Sequence, residues 1–254
     1  MTTNADAPAG ASWRLLRLES EHFGVRIARV DTTTVETLNK GLAESRRGGI
    51  DVAVLRMPAD RMDLVHAAED AGARLMDVLV YLRIDFARAP PQPVSSPAFT
   101  FTLFAPSDRP GVLAAACDAF AGYQGHYHTD PRIPRERADS MYVNWARDCC
   151  DGRYGPSDVF VARTDDGRIA GFVAGETIPG GGTNVAIGGM TSWAQGRGGY
   201  RDLIRFSNDW MRMHRGARWG EYSTQVTNTA AQRSVAELGY RPHHSAFTFH
   251  MWFG

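Results

Sequence analysis

The segment QGRGGY, residues 195–200, constrains this chain more than any other short stretch. It joins NVAIGGMTSW (184–193), which reads as a strand, to a helix pattern with Tyr200, Leu203, Ile204, Ser207, Trp210, Met211 and His214 on one face. A strand turning through glycines into an amphipathic helix calls for an α/β layer, in which the helix buries its stripe on a sheet. The first N–H groups of a helix have no acceptor inside it, and the helix dipole adds partial positive charge, so the turn suits a phosphate. Gly196, Gly198 and Gly199 would let the backbone approach a pyrophosphate, with Gln195 and Arg197 adding donors. A purely structural glycine turn is the alternative. No Lys-Ser or Lys-Thr pair follows, which excludes a P-loop, and the preceding strands read as antiparallel hairpins, which argues against a dinucleotide fold.

The remaining pattern is α/β throughout. DVAVLRM (51–57) reads as a buried strand, MDLVHAAEDAGA as a helix ended by Gly72, and RLMDVLVYLRIDF as an alternating strand. ARAPPQPVSSPA (87–98) holds four prolines and breaks the chain, so 89–98 is expected to be a linker. Beyond it come a strand at 99–105 and a helix capped by Ser107 or Asp108. The strands of DVFVARTDDGRIAGFVAGETI are joined at Asp166-Gly167, both expected at positive φ. EYSTQV, NTAAQRSVAELG and SAFTFHMW then give strand, helix and strand. Strand, helix, glycine stop and alternating strand thus occur at 51–86 and again at 221–252, which suggests related halves: an N-terminal α/β subdomain at 13–88 and a second domain at 99–254.

Composition narrows the function. Lys+Arg and Asp+Glu cancel at 28 each, so no global field favours DNA or an anionic membrane. MTTNADAPAGAS lacks the features of a signal peptide, no apolar run is long enough to span a bilayer, and the expectation is a cytoplasmic protein with a disordered tail over 1–12. Cys117, Cys149 and Cys150 lack metal-ligand spacing and read as reduced thiols. His126 and His128 have no third ligand, so no metal is expected.

The order of elements resembles the GNAT N-acetyltransferase superfamily, whose acyl-CoA loop follows Gln/Arg-x-x-Gly-x-Gly/Ala after a strand. Gln195, Gly198 and Tyr200 stand at those positions, the last departing from the pattern. A second motif, Asn-x-x-Ala with a Gly-aromatic pair closing the helix, is met by Asn228, Ala231, Gly239 and Tyr240. LRLESEHFGVRIARV, GHYHTDPRIPRERADSMYVNWARD and STQVTNTAAQRSVAELGY are similar to the dTDP-fucosamine acetyltransferase group, which has a degenerate N-terminal half of this type. The resemblance implies a GNAT fold with a mixed central sheet flanked by helices. It also implies acetyl-CoA as co-substrate and a small-molecule amine acceptor, such as a nucleotide-linked aminosugar, acetylated by direct attack in a ternary complex. Neither DNA nor membrane is an expected partner, and a homodimer is allowed. A donor on a carrier protein or on aminoacyl-tRNA, and a ligand-binding module without chemistry, are the rival readings.

The resemblance places Met190, Thr191 and Ser192 nearest the thioester carbonyl, where backbone N–H groups act like an oxyanion hole. Gly188 and Gly189 fit a bulge there or mark close packing. Glu176 is a candidate base, with a solvated carboxylate as the alternative, and Glu221 is open to the same objection. His128 and His126 are the other candidate bases, on the segment resembling the acceptor loop, where Arg132, with Arg135 and Arg137, could meet phosphates. Tyr142 and Trp145 have core spacing, although the resemblance makes Tyr142 an acceptor contact. Val235 stands where family members often carry a tyrosine that protonates the leaving thiolate, so Tyr222, Ser234 or Tyr240, water, or departure of the thiolate itself must substitute. Tyr200 packs on the core or lies against the cofactor.

Overall fold

The computed structural model describes residues 11–89, 96–153 and 157–254. Most of the expected tail and of the expected linker lies outside the described residues. In chain order the elements are β1 (Trp13–Leu15), α1 (Arg17–Phe23), β2 (Ile27–Val30), α2 (Val35–Arg47), β3 (Val52–Pro58), α3 (Met62–Asp70) and β4 (Arg74–Asp85). There follow β5 (Thr100–Leu103), α4 (Arg109–Ala119), α5 (His126–Thr129) and α6 (Arg135–Cys150). The last are β6 (Ser157–Arg163), β7 (Ile169–Ile178), β8 (Gly182–Met190), α7 (Gly199–Arg215), β9 (Trp219–Gln225), α8 (Thr229–Glu237) and β10 (Arg241–Trp252). They fall into two compact units. The N-terminal unit comprises the described chain up to Val80 with Gln124–Met141 and His244–Gly254; the glycine-loop unit comprises the described residues of Tyr81–Tyr123 and Tyr142–His243.

In the N-terminal unit the strand order is β1-β2-β3-β10. β2 runs parallel to β3, paired from Ile27↔Val52 to Val30↔Leu55, and β10 lies antiparallel on β3 from Ala246↔Pro58 to Trp252↔Val52. Because side chains alternate across a sheet, Ala28, Val30, Ala53, Leu55, Met57 and Phe249 share one face and pack with Leu38 and Leu42 of α2 and Leu64 and Val65 of α3. The register assigns Arg14, Arg29, Arg56, His250 and Trp252 to the other face. α2 begins at a complete capping box: the Thr34 hydroxyl accepts from the Thr37 N–H (3.1 Å) and the Thr37 hydroxyl from the Thr34 N–H (3.0 Å).

The glycine-loop unit orders its strands β9-β8-β7-β6-β5, with the end of β4 beside β9, where the Phe86 N–H donates to the Arg218 carbonyl (3.1 Å). The β6–β7 hairpin turns differently from the expectation, since only Gly167 has positive φ (81°) and no non-glycine residue does among the described residues. The Gly167 N–H donates to the Thr164 carbonyl (2.8 Å) and the Thr164 N–H to the Arg168 carbonyl (3.0 Å), so one left-handed residue suffices in this longer loop. Asp108 precedes α4 as expected, but its carboxylate accepts from Arg163 (2.5 Å) and the Ala105 N–H (2.8 Å) and does not cap the helix.

α7 buries Leu203, Ile204 and Met211 completely, each contributing roughly 1.5–3 kcal/mol. The stripe is shorter than its spacing predicts: His214 is exposed in the last turn and stacks against Trp210 (4.8 Å). Asp202 and Asn208 are buried instead, Asp202 accepting from the Ser96 N–H (2.9 Å) and Asn208 from the Tyr240 hydroxyl (3.0 Å). Asp202 thereby fastens the last residues of the proline-rich segment.

Candidate functional site

β8 and β9 are parallel, yet they pair only at Gly182↔Trp219, Thr183↔Gly220 and Asn184↔Glu221. From Val185 and Tyr222 onward the strands part, and each turns an edge with backbone donors and acceptors into the gap. Against β7 the register shifts between Ala174↔Ile187 and Gly175↔Val185, which makes Ala186 the extra residue of a bulge at the mouth of the gap. Gly188 and Gly189 therefore do not form the bulge. They serve close packing, since a Cβ at Gly188 would lie 2.7 Å from the Phe172 carbonyl and one at Gly189 2.8 Å from Ala119 of α4.

The far end of β8 leads into the glycine loop. Gln195, Gly196, Arg197 and Gly198 are exposed, and Gly196 (φ 75°) and Gly198 (φ 74°) take the left-handed conformation. Gly198 is the N-cap of α7 and supplies no side chain to its first N–H groups, so those of Gly199, Tyr200 and Arg201 have no acceptor within the helix. Gly199 is different. It is buried, and a Cβ would come within 2.7 Å of the Phe99 ring and 2.8 Å of Met190 Cε. Gln195 Nε2 donates to the Met190 carbonyl (3.3 Å). Thr191 and Ser192 have their N–H groups committed to protein acceptors, the Ala170 carbonyl (2.9 Å) and the Asp118 carboxylate respectively. An oxyanion hole built on those two N–H groups conflicts with this bonding.

The two faces of the gap differ in chemistry. A Cβ on Gly175 would meet Ser207 and Met211 of α7, so its neighbour Glu176 points to the opposite face. There Glu176 lies across from Asn184, and Asn184 across from Glu221. Asn184 Nδ2 donates to Glu176 (3.1 Å), whereas Glu221 is ion-paired with Arg83 (3.1 Å), whose guanidinium stacks 4.0 Å above the Trp219 ring. On the α7 face, Tyr222 is the first β9 residue beyond the paired stretch, and its hydroxyl lies 2.8 Å from that of Tyr200. Burial pushes the Tyr200 phenol up to about 12 and the Tyr222 phenol well above its ordinary value. Val235 is fully buried in α8, Tyr240 is bonded to Asn208, and the Ser234 hydroxyl donates to the Ala230 carbonyl (3.1 Å). Asn228 caps α8 by accepting from the Ala231 N–H (3.2 Å) and donates to Thr224 (3.0 Å).

Other candidates lie elsewhere. Tyr142 packs against Phe120 (5.1 Å) and Tyr123 (4.7 Å). In the N-terminal unit, His128 Nδ1 accepts from the Gly125 N–H (3.0 Å), which leaves the proton of the neutral ring on Nε2, facing Asp139 (3.2 Å). Both nitrogens are thus committed, and a base role for His128 conflicts with that. His126 Nδ1 lies 2.8 Å from His250 Nε2, His250 Nδ1 lies 2.7 Å from Asp130, and Asp130 also accepts from Trp252 (2.8 Å) and the Arg132 N–H (3.0 Å). Sequence reasoning missed Asn184, Asp118, Asp130 and His250. Asn184 was within reach, because counting outward from Gly180, the middle of the 179–181 turn, pairs it with Glu176. Among the described residues no cluster of His, Cys, Asp or Glu is placed to hold a metal ion, and no helix is long and apolar enough to cross a membrane.

No family model and no curated protein matches the chain. Solved structures do. A GCN5-related N-acetyltransferase from Sphaerobacter thermophilus aligns over 94% of this chain and 76% of its own, with TM-score 0.63 and 17% identity. This is the GNAT fold. A GCN5-related N-acetyltransferase from Kribbella flavida (TM-score 0.61, 16% identity, 90% of this chain and 82% of its own) has the same GNAT arrangement. So does a tandem GNAT protein from the clavulanic acid biosynthesis pathway (TM-score 0.58, 15% identity, 91% and 76%). At these identities the likeness is one of fold.

Proposed function

We propose that the protein is an N-acyltransferase that moves an acetyl group from acetyl-CoA to the amine of an aminosugar or comparable small molecule, by direct attack in a ternary complex. The observation that carries this reading is the pairing of an opened β8–β9 ladder with an uncapped helix start that follows an exposed glycine loop. The cradle fits a pyrophosphate: Gly196 and Gly198 are exposed and keep side chains out of the approach to the first N–H groups of α7. The acyl arm would lie along the unpaired β8 edge, with the thioester near Ala186 and Ile187. Glu176 would take the amine's proton, directly or through water, because a neutral amide holds it, whereas Glu221 is tied to a guanidinium. His126 and Arg132 remain proposed acceptor contacts. Residues 13–88 would be a degenerate GNAT-like half and residues 99–254 the acyltransferase domain.

The test is direct. Acetyl-CoA should raise the melting temperature, by the equivalent of about 2.7 kcal/mol at a hundredfold excess over Kd. Gly198→Glu should remove that shift by placing a carboxylate at the phosphate position. Free CoA, read with a thiol reagent against a panel of dTDP-linked aminosugars and small amines, should appear only with an acceptor. A wild-type protein indifferent to acetyl-CoA would sink the proposal; turnover with carrier-loaded donors alone would move it to the carrier reading.

A further inference from the structure

Two phenols that share one hydrogen bond hold two hydroxyl protons and spend only one of them on each other. Tyr200 and Tyr222 are such a pair, 2.8 Å apart, and no other protein partner is found for either hydroxyl among the described residues. One donor therefore remains for a third atom. Its place is informative. Tyr222 starts the stretch of β9 that is not paired with β8, next to the last residue so paired, Glu221, and Tyr200 stands in the first turn of α7, just after the glycine loop. Gly220 has the same strand parity as Tyr222, and a Cβ there would meet the Tyr240 hydroxyl, so Tyr222 faces the helices and Glu221 the opposite side.

We propose that Tyr222, positioned by Tyr200, donates the hydrogen bond that stabilises the sulfur of a leaving thiolate in the β8–β9 gap, the task that a tyrosine at position 235 would otherwise perform. This rests on the acyltransfer reading. The amine nitrogen forms its bond to the carbonyl carbon as the carbon–sulfur bond breaks. Sulfur leaves with the electron pair as thiolate, and the amine's proton passes to Glu176 or to water. The phenol keeps its proton, because burial holds both tyrosines well above the value of about 8.5 for a free thiol. The pair thus acts as a hydrogen-bond donor to sulfur and water completes the thiol, which removes the need for an acid at Val235.

The experiment compares wild type, Tyr222→Phe and Tyr200→Phe, all of which keep their rings. With acetyl-CoA and any productive amine, Tyr222→Phe should lower kcat about ten- to a hundredfold with little change in KM for acetyl-CoA; Tyr200→Phe should cost less. A second measurement follows thiolate absorbance while CoA bound to each protein is titrated with base. Bound to wild type the thiol should ionise at lower pH than free CoA, and bound to Tyr222→Phe it should ionise like free CoA. Equal titrations in the two proteins, or an unchanged kcat, overturn the proposal while leaving acyltransfer intact. A wild type that neither binds CoA nor turns over overturns both.

Discussion

β2–α2–β3 and β8–α7–β9 are the same motif, two parallel strands joined by a helix, and they end in opposite states. In the first, the strands pair along the whole of β2 and Thr34 closes the helix start with a capping box. In the second, the ladder stops after Asn184↔Glu221 and Gly198 leaves the helix start uncapped. On the acyltransfer proposal, the difference makes a ligand site by omission. Hydrogen bonds that would complete the motif are withheld at the helix start and between β8 and β9, where the proposal puts a phosphate and an extended acyl arm. The N-terminal motif, being satisfied, has nothing left to offer.

The sharpest way to break this comparison is at the point where the open pair begins. There Glu176 and Glu221 flank Asn184, whereas the closed pair sets Ala28 against Ala53. Glu176→Gln should lower kcat about 10²–10⁴-fold while acetyl-CoA binding is unchanged. Glu221→Gln should cost less, since its carboxylate is held by Arg83. If steady-state kinetics show Glu221→Gln to be the slower variant, the roles assigned to the two carboxylates are reversed.

Much of this contrast was legible in the chain. The strand, glycine turn and amphipathic helix announce themselves because each is local: periodicity, φ preference and capping are properties of neighbours. The bulge at Ala186 was not, since it depends on register against β7, and two glycines nearby offered a better-looking candidate. Nor was the pairing of Tyr200 with Tyr222, which brings the start of a helix to the middle of a strand. His128 looked available and is not, because the acceptor of its proton, Asp139, comes from the next helix. Cooperation across elements is what a one-dimensional pattern hides, and here it carries most of the proposed chemistry.

The polar face of the N-terminal unit should register in stability as a function of pH. Burial lowers the His126 value well below the ordinary one, helped by His250, Arg56 and Arg29, so the folded state favours the neutral ring. The unfolded chain takes up that proton below about pH 6.5, and stability present above this pH is lost as pH falls, at up to about 1.4 kcal/mol per unit. Two other groups need separating. Burial would raise Asp130, but hydrogen bonds from His250 and Trp252 hold it below its ordinary value, so its contribution is lost only as pH falls below about 4. Glu19, raised by burial, acts in the opposite sense, costing stability as pH rises above 4.5. Denaturant titrations of wild type and His126→Asn from pH 7.5 to 5 isolate the first group. Parallel curves would mean that His126 does not titrate with folding.

The smallest effect is also the closest test of the comparison, because it exchanges the two helix starts. Thr34→Ala removes the capping box of α2 and should cost about 1 kcal/mol. Acetyl-CoA should still raise the melting temperature of that variant by the wild-type amount, since α2 offers no glycine-lined approach. Gly198→Thr places a capping side chain on α7 but must hold a β-branched residue at φ 74°, where L residues are strained. Two outcomes are therefore superposed in it: a loss of intrinsic stability of about 1–2 kcal/mol from strain, and a loss of the acetyl-CoA shift. Gly198→Ala separates them, having the strain without the hydroxyl. If the alanine variant keeps part of the ligand shift and the threonine variant keeps none, the withheld cap is what makes α7 a binding site. If both keep it in full, the glycine at 198 serves only the turn, and the contrast between the two motifs lies in the opened ladder alone.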